Sequence, residues 1–393
     1  MRRDFYKQLE NEIASLRDKG TYKHFKYNTN ALNGKINVEG FGNEIVLCSN
    51  NYIGLANNPD LIRAAHESLA QYGAGASSVR FICGTYDIHR KLEERVAGFL
   101  NTEASLTYTS CWAANTACIP ALLSDGDAVI SDELNHASII DGCRAVSKGV
   151  KRAVYKHSDM NALEERLIET SGSGAVLVVS DGVFSMEGDI AKLPEIVALC
   201  KKYNALLMID DSHATGVIGK TGRGTMEYYG IREGVDIISG TFGKALGGAG
   251  GGFIAASKSI CVILAQRSRP HLFSNCLPPV LCAIAMAAID YLDKNPRIVL
   301  SLTEKTRYMR GKIKAMGLNP LEGDSAIIPI IIGDTARAIA ISEKMMKNGV
   351  FVIGFGFPVV LEGSARIRLQ ISDALSYEDL DRALAVIGKA FSD

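Results

Sequence analysis

Side chains with acid, imidazole, hydroxyl and amine groups follow three apolar runs that are typical of β-strands. The run ALLMI leads into Asp210 and His213. The run AVLVV is followed by Ser185, and the run DIISG by Thr241 and Lys244. In a parallel sheet the carboxyl ends of the strands meet at one edge, and ligands bind there. The pattern therefore predicts one site at which these groups converge.

Asp210, His213 and Lys244 together suit a reaction in which negative charge forms on carbon. A buried carboxylate beside a pyridine nitrogen keeps that nitrogen protonated, and the protonated ring then accepts electrons from a carbanion. A lysine desolvated among small residues, as Lys244 is in SGTFGKALGGAGGG, has a lowered pKa that suits Schiff-base formation. Taken singly, the acid is also typical of a helix N-cap, the histidine of a structural residue and the lysine of a flexible glycine loop. Their combination favours a pyridine-containing cofactor.

Residues 109–115, TSCWAAN, follow another apolar run and begin a helix-like stretch. Backbone N–H groups at the start of a helix bind anions, so this turn can hold the phosphate of a cofactor, with the hydroxyl of Thr241 as a further donor. An ordinary strand-to-helix turn capped by Ser or Thr has the same sequence pattern.

His136, Arg366 and Arg368 are further candidates. His136 follows a strand end in SDELNHASIIDG, where an imidazole can stack on a cofactor ring; a capping or core role is the alternative. Arg366 and Arg368 alternate in ARIRLQIS, so a strand would place both on one face. One of them could bind a substrate carboxylate through two hydrogen bonds, or the pair could lie on a solvated strand face.

The composition excludes several classes of function. Lys plus Arg and Asp plus Glu each total 43, and no long block of like charge occurs, so we expect no nucleic-acid partner. No run approaches the roughly 18 apolar residues of a membrane span, and the charged N-terminal segment differs from a secretion signal, so we expect a cytoplasmic protein. The nine cysteines form no CxxC pair, which predicts reduced core residues and no metal site.

Short apolar runs that are typical of strands alternate with helical stretches between residues 45 and 275. The runs are Ala104 to Tyr108, Ala128 to Ser131, Ala175 to Ser180, Ala205 to Asp210, Ile237 to Thr241 and Gly252 to Ala256. This alternation predicts an α/β fold with a largely parallel sheet and helices on both faces.

Two helices and three regions can also be predicted. The spacing of apolar residues predicts an amphipathic helix over residues 3–19 that packs as an arm on another surface. A second helix is expected from Val280 to Leu292, where a turn signal begins at Asp293. We expect an N-terminal helical arm (residues 1–45), a large cofactor-binding α/β domain (46–290) and a small C-terminal domain (291–393).

The chain resembles the α-oxoamine synthases, which are pyridoxal-phosphate enzymes of the aspartate-aminotransferase fold (fold type I) and acylate amino acids with loss of CoA. The resemblance covers nearly the whole chain and rests on CSNNYIGLANNP, DELNHASIIDG, DGVFSMEGDIA, IDDSHATGVIG, GTFGKALGGAGG, RPHLFSN and ARIRLQIS. It implies a large, mostly parallel sheet domain and a smaller C-terminal α+β domain.

The resemblance also implies a role for each matching residue. Lys244 would carry the cofactor as a Schiff base, Asp210 would contact the ring nitrogen, His213 the phenolic oxygen, and His136 would stack on the ring. The phosphate would be held by Ser110, Cys111, Trp112 and Thr241, and by Ser274 from a neighbouring subunit. The amino-acid carboxylate would be held by Asn50, Ser185 and Arg368, with Arg366 as a structural neighbour. A homodimer with shared active sites is therefore expected.

Phe81 bears on the acyl substrate. Relatives that use succinyl-CoA carry Asn at the position that Phe81 occupies here, and an apolar side chain would leave a succinyl carboxylate unpaired. Phe81 therefore favours a small acetyl group, and the resemblance implies condensation of glycine with acetyl-CoA, run in reverse during threonine degradation. The alternatives are the sister reaction of alanine with a pimeloyl thioester, which gives 8-amino-7-oxononanoate, and a non-catalytic subunit that keeps the fold.

Overall fold

A computed structural model of the chain describes residues 2–357 and 359–392. The strands are β1 (Lys35–Val38), β2 (Gly42–Val46), β3 (Ala104–Tyr108), β4 (Ala128–Asp132), β5 (Lys151–Tyr155), β6 (Val176–Asp181), β7 (Leu206–Asp210), β8 (Ile237–Thr241), β9 (Gly252–Ala256), β10 (Ile327–Gly333), β11 (Val350–Phe351), β12 (Gly354–Phe355) and β13 (Ala365–Gln370). The helices are α1 (Arg2–Asp18), α2 (Pro59–Tyr72), α3 (Asp87–Leu100), α4 (Cys111–Leu122), α5 (Ala137–Arg144), α6 (Met160–Glu169), α7 (Leu193–Lys202), α8 (Thr225–Tyr229), α9 (Lys258–Arg267), α10 (Arg269–Phe273), α11 (Pro279–Lys294), α12 (Arg297–Ala315), α13 (Thr335–Met346) and α14 (Tyr377–Ser392), with a 3₁₀ turn at Leu55–Asn57.

Seven strands form the main sheet in the order β3-β9-β8-β7-β6-β4-β5. The neighbours from β8 to β5 are parallel, whereas β9 runs antiparallel to both β3 and β8. Parallel sheets are covered by helices on both faces, which explains why β4 and β6 are buried at every position. The predicted α/β fold with a mostly parallel sheet is confirmed.

The six strands predicted from the sequence all occur, with ends that agree to within one residue. Strand β5 was not predicted. Its residues KRAVY begin with two exposed charged side chains, and it lies at the edge of the sheet. Charged residues are common on edge strands, and they conceal the apolar pattern. The predicted helix from Val280 to Leu292 is present as α11. It begins one residue earlier, with Pro279 at its first position, and the predicted end was wrong because the helix continues through Asp293 to Lys294.

The N-terminal and C-terminal segments pair with each other. One small sheet has the order β1-β2-β11, in which β2 and β11 are parallel, and a second has the order β10-β13-β12. The long helix α11 packs on α2 and α3, and α3 in turn packs on β3 of the main sheet. The division into regions 1–45, 46–290 and 291–393 stays a prediction.

The N-terminal helix α1 has no buried residue, and its apolar side chains Phe5, Leu9, Ile13 and Leu16 are 38–58% exposed. Its packing on another surface stays a prediction. Six of the nine cysteines are buried and all nine are free thiols, as the sequence predicted. Within residues 2–357 and 359–392, no helix is both long and apolar enough to cross a membrane, and no cluster of three or more His, Cys, Asp or Glu could hold a metal ion.

Candidate active site

A cavity of about 200 Å³ lies at the carboxyl ends of β6, β7 and β8. Nine of the twelve predicted site residues line it: Ser110, Cys111, Trp112, His136, Ser185, Asp210, His213, Thr241 and Lys244. The convergence predicted from the three strand ends is therefore present. Ser138, Asp181 and Ser212 also line the cavity, and the sequence reading gave them no role.

Lys244 and Asp210 are the principal charged groups of the cavity. Burial lowers the pKa of Lys244, while the nearby negative charge of Asp210 opposes that shift. Asp210 ends β7 and is 4% exposed. Its Oδ1 accepts a hydrogen bond from the Ser212 backbone N–H at 2.9 Å, and its Oδ2 accepts one from the Asn115 side chain at 2.6 Å. Each carboxylate oxygen therefore has a donor, and together the two donors fix the orientation of the group.

Asn115 and Ser138 connect Asp210 to His136. The fully buried Asn115 amide donates both to Asp210 and to Ser138 Oγ, the latter at 2.9 Å. Ser138 Oγ lies 2.7 Å from His136 Nδ1. The only sequence signal for Asn115 was an amide, next to Thr116, in the mainly apolar helix α4.

His136 both caps a helix and lines the cavity, whereas the sequence analysis treated a capping role and a site role as alternatives. It is the N-cap of α5, and its Nδ1 accepts the Ser138 backbone N–H at 3.2 Å. Its ring meets Trp112 edge to face at 5.8 Å between centroids. Burial lowers the pKa of His136, so the ring is a neutral imidazole at pH 7 whose orientation is fixed by the cap.

A second cation lies where β13 meets the loop after β6. Arg368 Nη1 donates to the Ser185 carbonyl at 3.0 Å, and its guanidinium carbon lies 4.6 Å from the centre of the Phe355 ring. Its Nε is buried without a hydrogen-bond partner among the described residues. An arginine with an unused N–H beside the cavity suits a carboxylate ligand.

Arg366 differs from Arg368 although both lie on the same face of β13. Arg366 Nη1 forms a salt bridge with Glu187 at 2.9 Å and donates to the Met186 carbonyl at 2.9 Å. Its side chain is 7% exposed. The alternative of a solvated strand face was therefore wrong for this arginine, and its charge is already neutralised.

The turn before α4 has the geometry of a helix N-terminus. Ser110 is the N-cap, and its Oγ accepts the Ala113 N–H at 3.0 Å, so the ordinary capping role is present. The first N–H groups of any helix lack intrahelical acceptors, and here Cys111 and Trp112 occupy those positions at the cavity. A Cβ on Gly252 would overlap the backbone nitrogen of Cys111, so glycine permits this close approach.

Three predicted residues do not line the cavity. Arg368 and Asn50 lie just outside it and both contact Gln370. Ser274 is exposed in the segment after α10, as is Phe81, at 63%, in the segment between α2 and α3. One chain does not bring Ser274 or Phe81 to its own cavity.

Comparison with known protein families gives the same assignment as the motifs. The model of the family described as aminotransferase class I and II matches residues 43–387. The chain belongs to this family. Its identity of 45–47% to proteins named 2-amino-3-ketobutyrate coenzyme A ligase confirms the resemblance to the α-oxoamine synthases.

Three relatives share the chain's length as well as its sequence. The mitochondrial 2-amino-3-ketobutyrate coenzyme A ligase of Bos taurus is 47% identical over 377 residues, covering 96% of this chain and 90% of the relative. The enzyme of the same name from Salmonella typhimurium is 45% identical over 386 residues, covering 98% and 96%. The 8-amino-7-oxononanoate synthase of Geobacter sulfurreducens is 40% identical, covering 98% and 97%.

Solved structures at about 30% identity have the same fold. Sphingomonas wittichii serine palmitoyltransferase superposes with a TM-score of 0.92 at 30% identity, covering 98% of this chain and 96% of that one. A structure of SPT with PLP gives a TM-score of 0.93 at 29% identity, covering 98% and 97%. Fold type I, predicted from the motifs, is confirmed.

Proposed function

We propose that the protein is a pyridoxal-phosphate enzyme that condenses glycine with acetyl-CoA to give 2-amino-3-ketobutyrate and CoA, a glycine C-acetyltransferase. The observation that carries this proposal is the 45–47% identity, over nearly the full length, to proteins named 2-amino-3-ketobutyrate coenzyme A ligase. The cavity supports it because an amine, a carboxylate and two imidazoles converge there. In the cell we infer the reverse cleavage, during threonine degradation in the cytoplasm.

The residues of the cavity fit pyridoxal phosphate. Burial lowers the pKa of Lys244, which favours the uncharged amine that condenses with a cofactor aldehyde. Asp210 supplies a negative group for a pyridine nitrogen, and the start of α4 supplies N–H groups for a phosphate. His136 supplies a neutral, oriented ring to lie against the cofactor.

When bound, the cofactor supplies a protonated pyridine ring that delocalises negative charge from the α-carbon of the amino acid. Asp210 would hold that proton at the ring nitrogen through its carboxylate. The Lys244 amine, whose pKa is lowered by burial, removes a proton from the α-carbon and returns it in the reverse direction. Arg368 binds the substrate carboxylate through its unpaired Nε and orients the α-carbon–hydrogen bond.

We further propose a homodimer in which each active site receives Ser274 and Phe81 from the neighbouring subunit. Both residues are exposed in one chain, and neither lines that chain's own cavity. Exposed apolar side chains on α1, together with Phe273 at 68% exposure, support an apolar interface. An apolar Phe81 at the shared site would favour acetyl-CoA over succinyl-CoA.

Borohydride reduction of the purified protein, followed by peptide mapping, tests the attachment site. We expect label on Lys244, none in K244A, and normal labelling in K220A, which changes an exposed lysine. Label on another residue would contradict the proposed cofactor site.

An assay of CoA release tests the substrates. Glycine with acetyl-CoA should react faster than alanine with pimeloyl-CoA or glycine with succinyl-CoA. A preference for alanine and pimeloyl-CoA would instead assign the chain to 8-amino-7-oxononanoate synthesis, the reaction named for the Geobacter relative.

A further inference from the structure

A chain of buried side chains joins Arg368 to His213. Arg368 Nη2 donates to Gln370 Oε1 at 3.0 Å, and Gln370 Nε2 lies 2.8 Å from the Tyr52 hydroxyl. The Tyr52 hydroxyl in turn lies 2.8 Å from His213 Nδ1. Gln370 Nε2 also donates to Asn50 Oδ1 at 2.7 Å. Gln370 and Tyr52 are fully buried, so water does not compete for these contacts.

The direction of every hydrogen bond in this chain follows from Arg368. A guanidinium has donors only, so the Gln370 group that faces it must be the carbonyl oxygen. The Gln370 NH₂ group therefore faces Tyr52 and donates to its oxygen. A tyrosine hydroxyl has a single proton, and this proton is then left for His213.

His213 Nδ1 is consequently an acceptor, and the ring proton lies on Nε2. Burial lowers the pKa of His213 well below its usual range, and the positive charges of Lys244 and Arg368 act in the same direction. The imidazole is therefore neutral and carries one N–H. Since His213 lines the cavity while its Nδ1 is turned to Tyr52, this N–H is the group it offers to a ligand.

We propose that Gln370 and Tyr52 are positioning residues that fix the tautomer of His213, so that its Nε2 presents a hydrogen-bond donor to the cavity. The proposal deepens the function proposed above, because a donor at this position suits the phenolic oxygen of pyridoxal phosphate. In this proposal Arg368, the group that binds the substrate carboxylate, also sets the hydrogen-bond directions that fix the tautomer of His213.

A purely structural role for Gln370 is the alternative. Its backbone N–H donates to the Leu47 carbonyl at 2.8 Å, so β13 is docked on the segment after β2 whatever its side chain does. A structural role predicts that changes at Gln370 lower stability and leave the tautomer of His213 unchanged. The two interpretations therefore differ in a quantity that can be measured without substrate.

Gln370→Glu should reverse the direction of the hydrogen bond between Tyr52 and His213 while keeping the shape of the side chain at position 370. A carboxylate accepts from Arg368 and also from Tyr52, so the tyrosine proton turns away from His213. His213 then places its own proton on Nδ1 and donates to the Tyr52 oxygen, which leaves Nε2 as an acceptor. Tyr52→Phe removes the hydroxyl and leaves His213 Nδ1 without its donor.

The measurement is the ¹⁵N chemical shifts of the histidine side chains in protein labelled with ¹⁵N-histidine, recorded with and without added pyridoxal phosphate. His213 is assigned by the signal lost in H213Q. We expect the Nε2–H tautomer in the unmodified protein, the Nδ1–H tautomer in Q370E and a mixture in Y52F. Gln71→Glu, which adds the same charge on α2, should leave the signal unchanged.

A kinetic measurement complements the spectra. We expect kcat to fall at least about 10-fold in Q370E, where the donor at Nε2 is lost, and by less in Y52F, where it is lost in part; the pH profile of the cofactor absorbance should shift in both. Retention of the Nε2–H tautomer in both variants would overturn the proposal. If Q370E does not fold, the isosteric Y52F alone decides. A borohydride label away from Lys244 would refute the proposed function while leaving the tautomer result standing.

Discussion

Asp181 and Asp210 lie opposite each other, in register, on the adjacent parallel strands β6 and β7. Both side chains line the cavity, and they are 5% and 4% exposed. Burial, followed by the negative charge of Asp210, raises the pKa of Asp181 well above its usual range. Asp181 Oδ2 also accepts the His136 backbone N–H at 2.9 Å. The two neighbouring carboxyl groups therefore have different tasks: Asp210, which accepts from Ser212 and Asn115, is the acid proposed for the ring nitrogen, and Asp181 positions the His136 turn.

Exchange of each acid for its amide should separate these tasks. Asp210→Asn removes the charge that would hold a proton on the pyridine nitrogen, and we expect kcat to fall by about 10²–10⁴-fold. Asp181→Asn keeps an oxygen for the His136 N–H and replaces a carboxyl group whose pKa is raised by burial, so kcat should stay within a few-fold of the unmodified value. The measurement is kcat with glycine and acetyl-CoA at saturating cofactor. Equal losses in the two variants would contradict this division of roles.

The two arginines of β13 should also respond differently to substitution by lysine. Arg368→Lys removes the N–H left over for a substrate carboxylate, so KM for glycine should rise at least about 10-fold. Arg366→Lys weakens a buried pair with Glu187, so the free energy of unfolding should fall by roughly 1–3 kcal/mol with little change in KM. Steady-state kinetics and thermal unfolding of both variants check the prediction. A raised KM in R366K alone would reverse the assignment.

The reactive residues could be predicted from the sequence because each follows an apolar run. Parallel strands place such ends at one edge of the sheet, so Asp210, Ser185 and Lys244 converge whatever the details of the loops. The main sheet was predictable for the same reason, except for β5, whose charged residues hide it.

The residues that support the reactive groups could not be predicted. Tyr52 and His213 are 161 residues apart in the sequence, and Asn115 and Asp210 are 95 apart. Local periodicity determines which face of an element is buried, but not which distant polar group it meets there. The roles of Ser274 and Phe81 stay predictions because they depend on a second subunit.

His157 should make the stability of the protein depend on pH. It lies between two acids, with Nδ1 at 3.1 Å from Asp132 and Nε2 at 3.0 Å from Asp189. Burial lowers its pKa, but the hydrogen bonds to both carboxylates outweigh burial and raise the pKa to about 10. The folded-state pKa exceeds the unfolded value of about 6.5, so the contribution is complete below pH ~6.5 and is lost as pH rises towards 10.

His157→Gln should therefore destabilise the protein most at low pH. We expect a loss of roughly 1–3 kcal/mol at pH 6, because the imidazole is only partly buried, and a much smaller loss near pH 10. Denaturant unfolding at several pH values measures the difference from the unmodified protein. His66→Gln, which changes an exposed histidine on α2, is the control. A loss that does not vary with pH would show that the ring acts without its charge.

Asn115 should control the affinity for the cofactor through Asp210. Asn115→Asp places a second carboxylate where the amide now donates at 2.6 Å, so repulsion should displace Asp210 and weaken cofactor binding by roughly 10–100-fold. Ser138→Ala should have a smaller effect, because it removes the hydroxyl between Asn115 and His136 but leaves the Asn115–Asp210 hydrogen bond in place. Absorbance titration of the apoprotein with pyridoxal phosphate gives the Kd, and thermal unfolding reports the fold. Ser342→Ala, a buried serine in α13 whose hydroxyl donates to a backbone carbonyl, should leave the Kd unchanged. An N115D protein that folds and binds cofactor normally would remove Asn115 from the site, because its contact with Asp210 would then have no bearing on the bound ring.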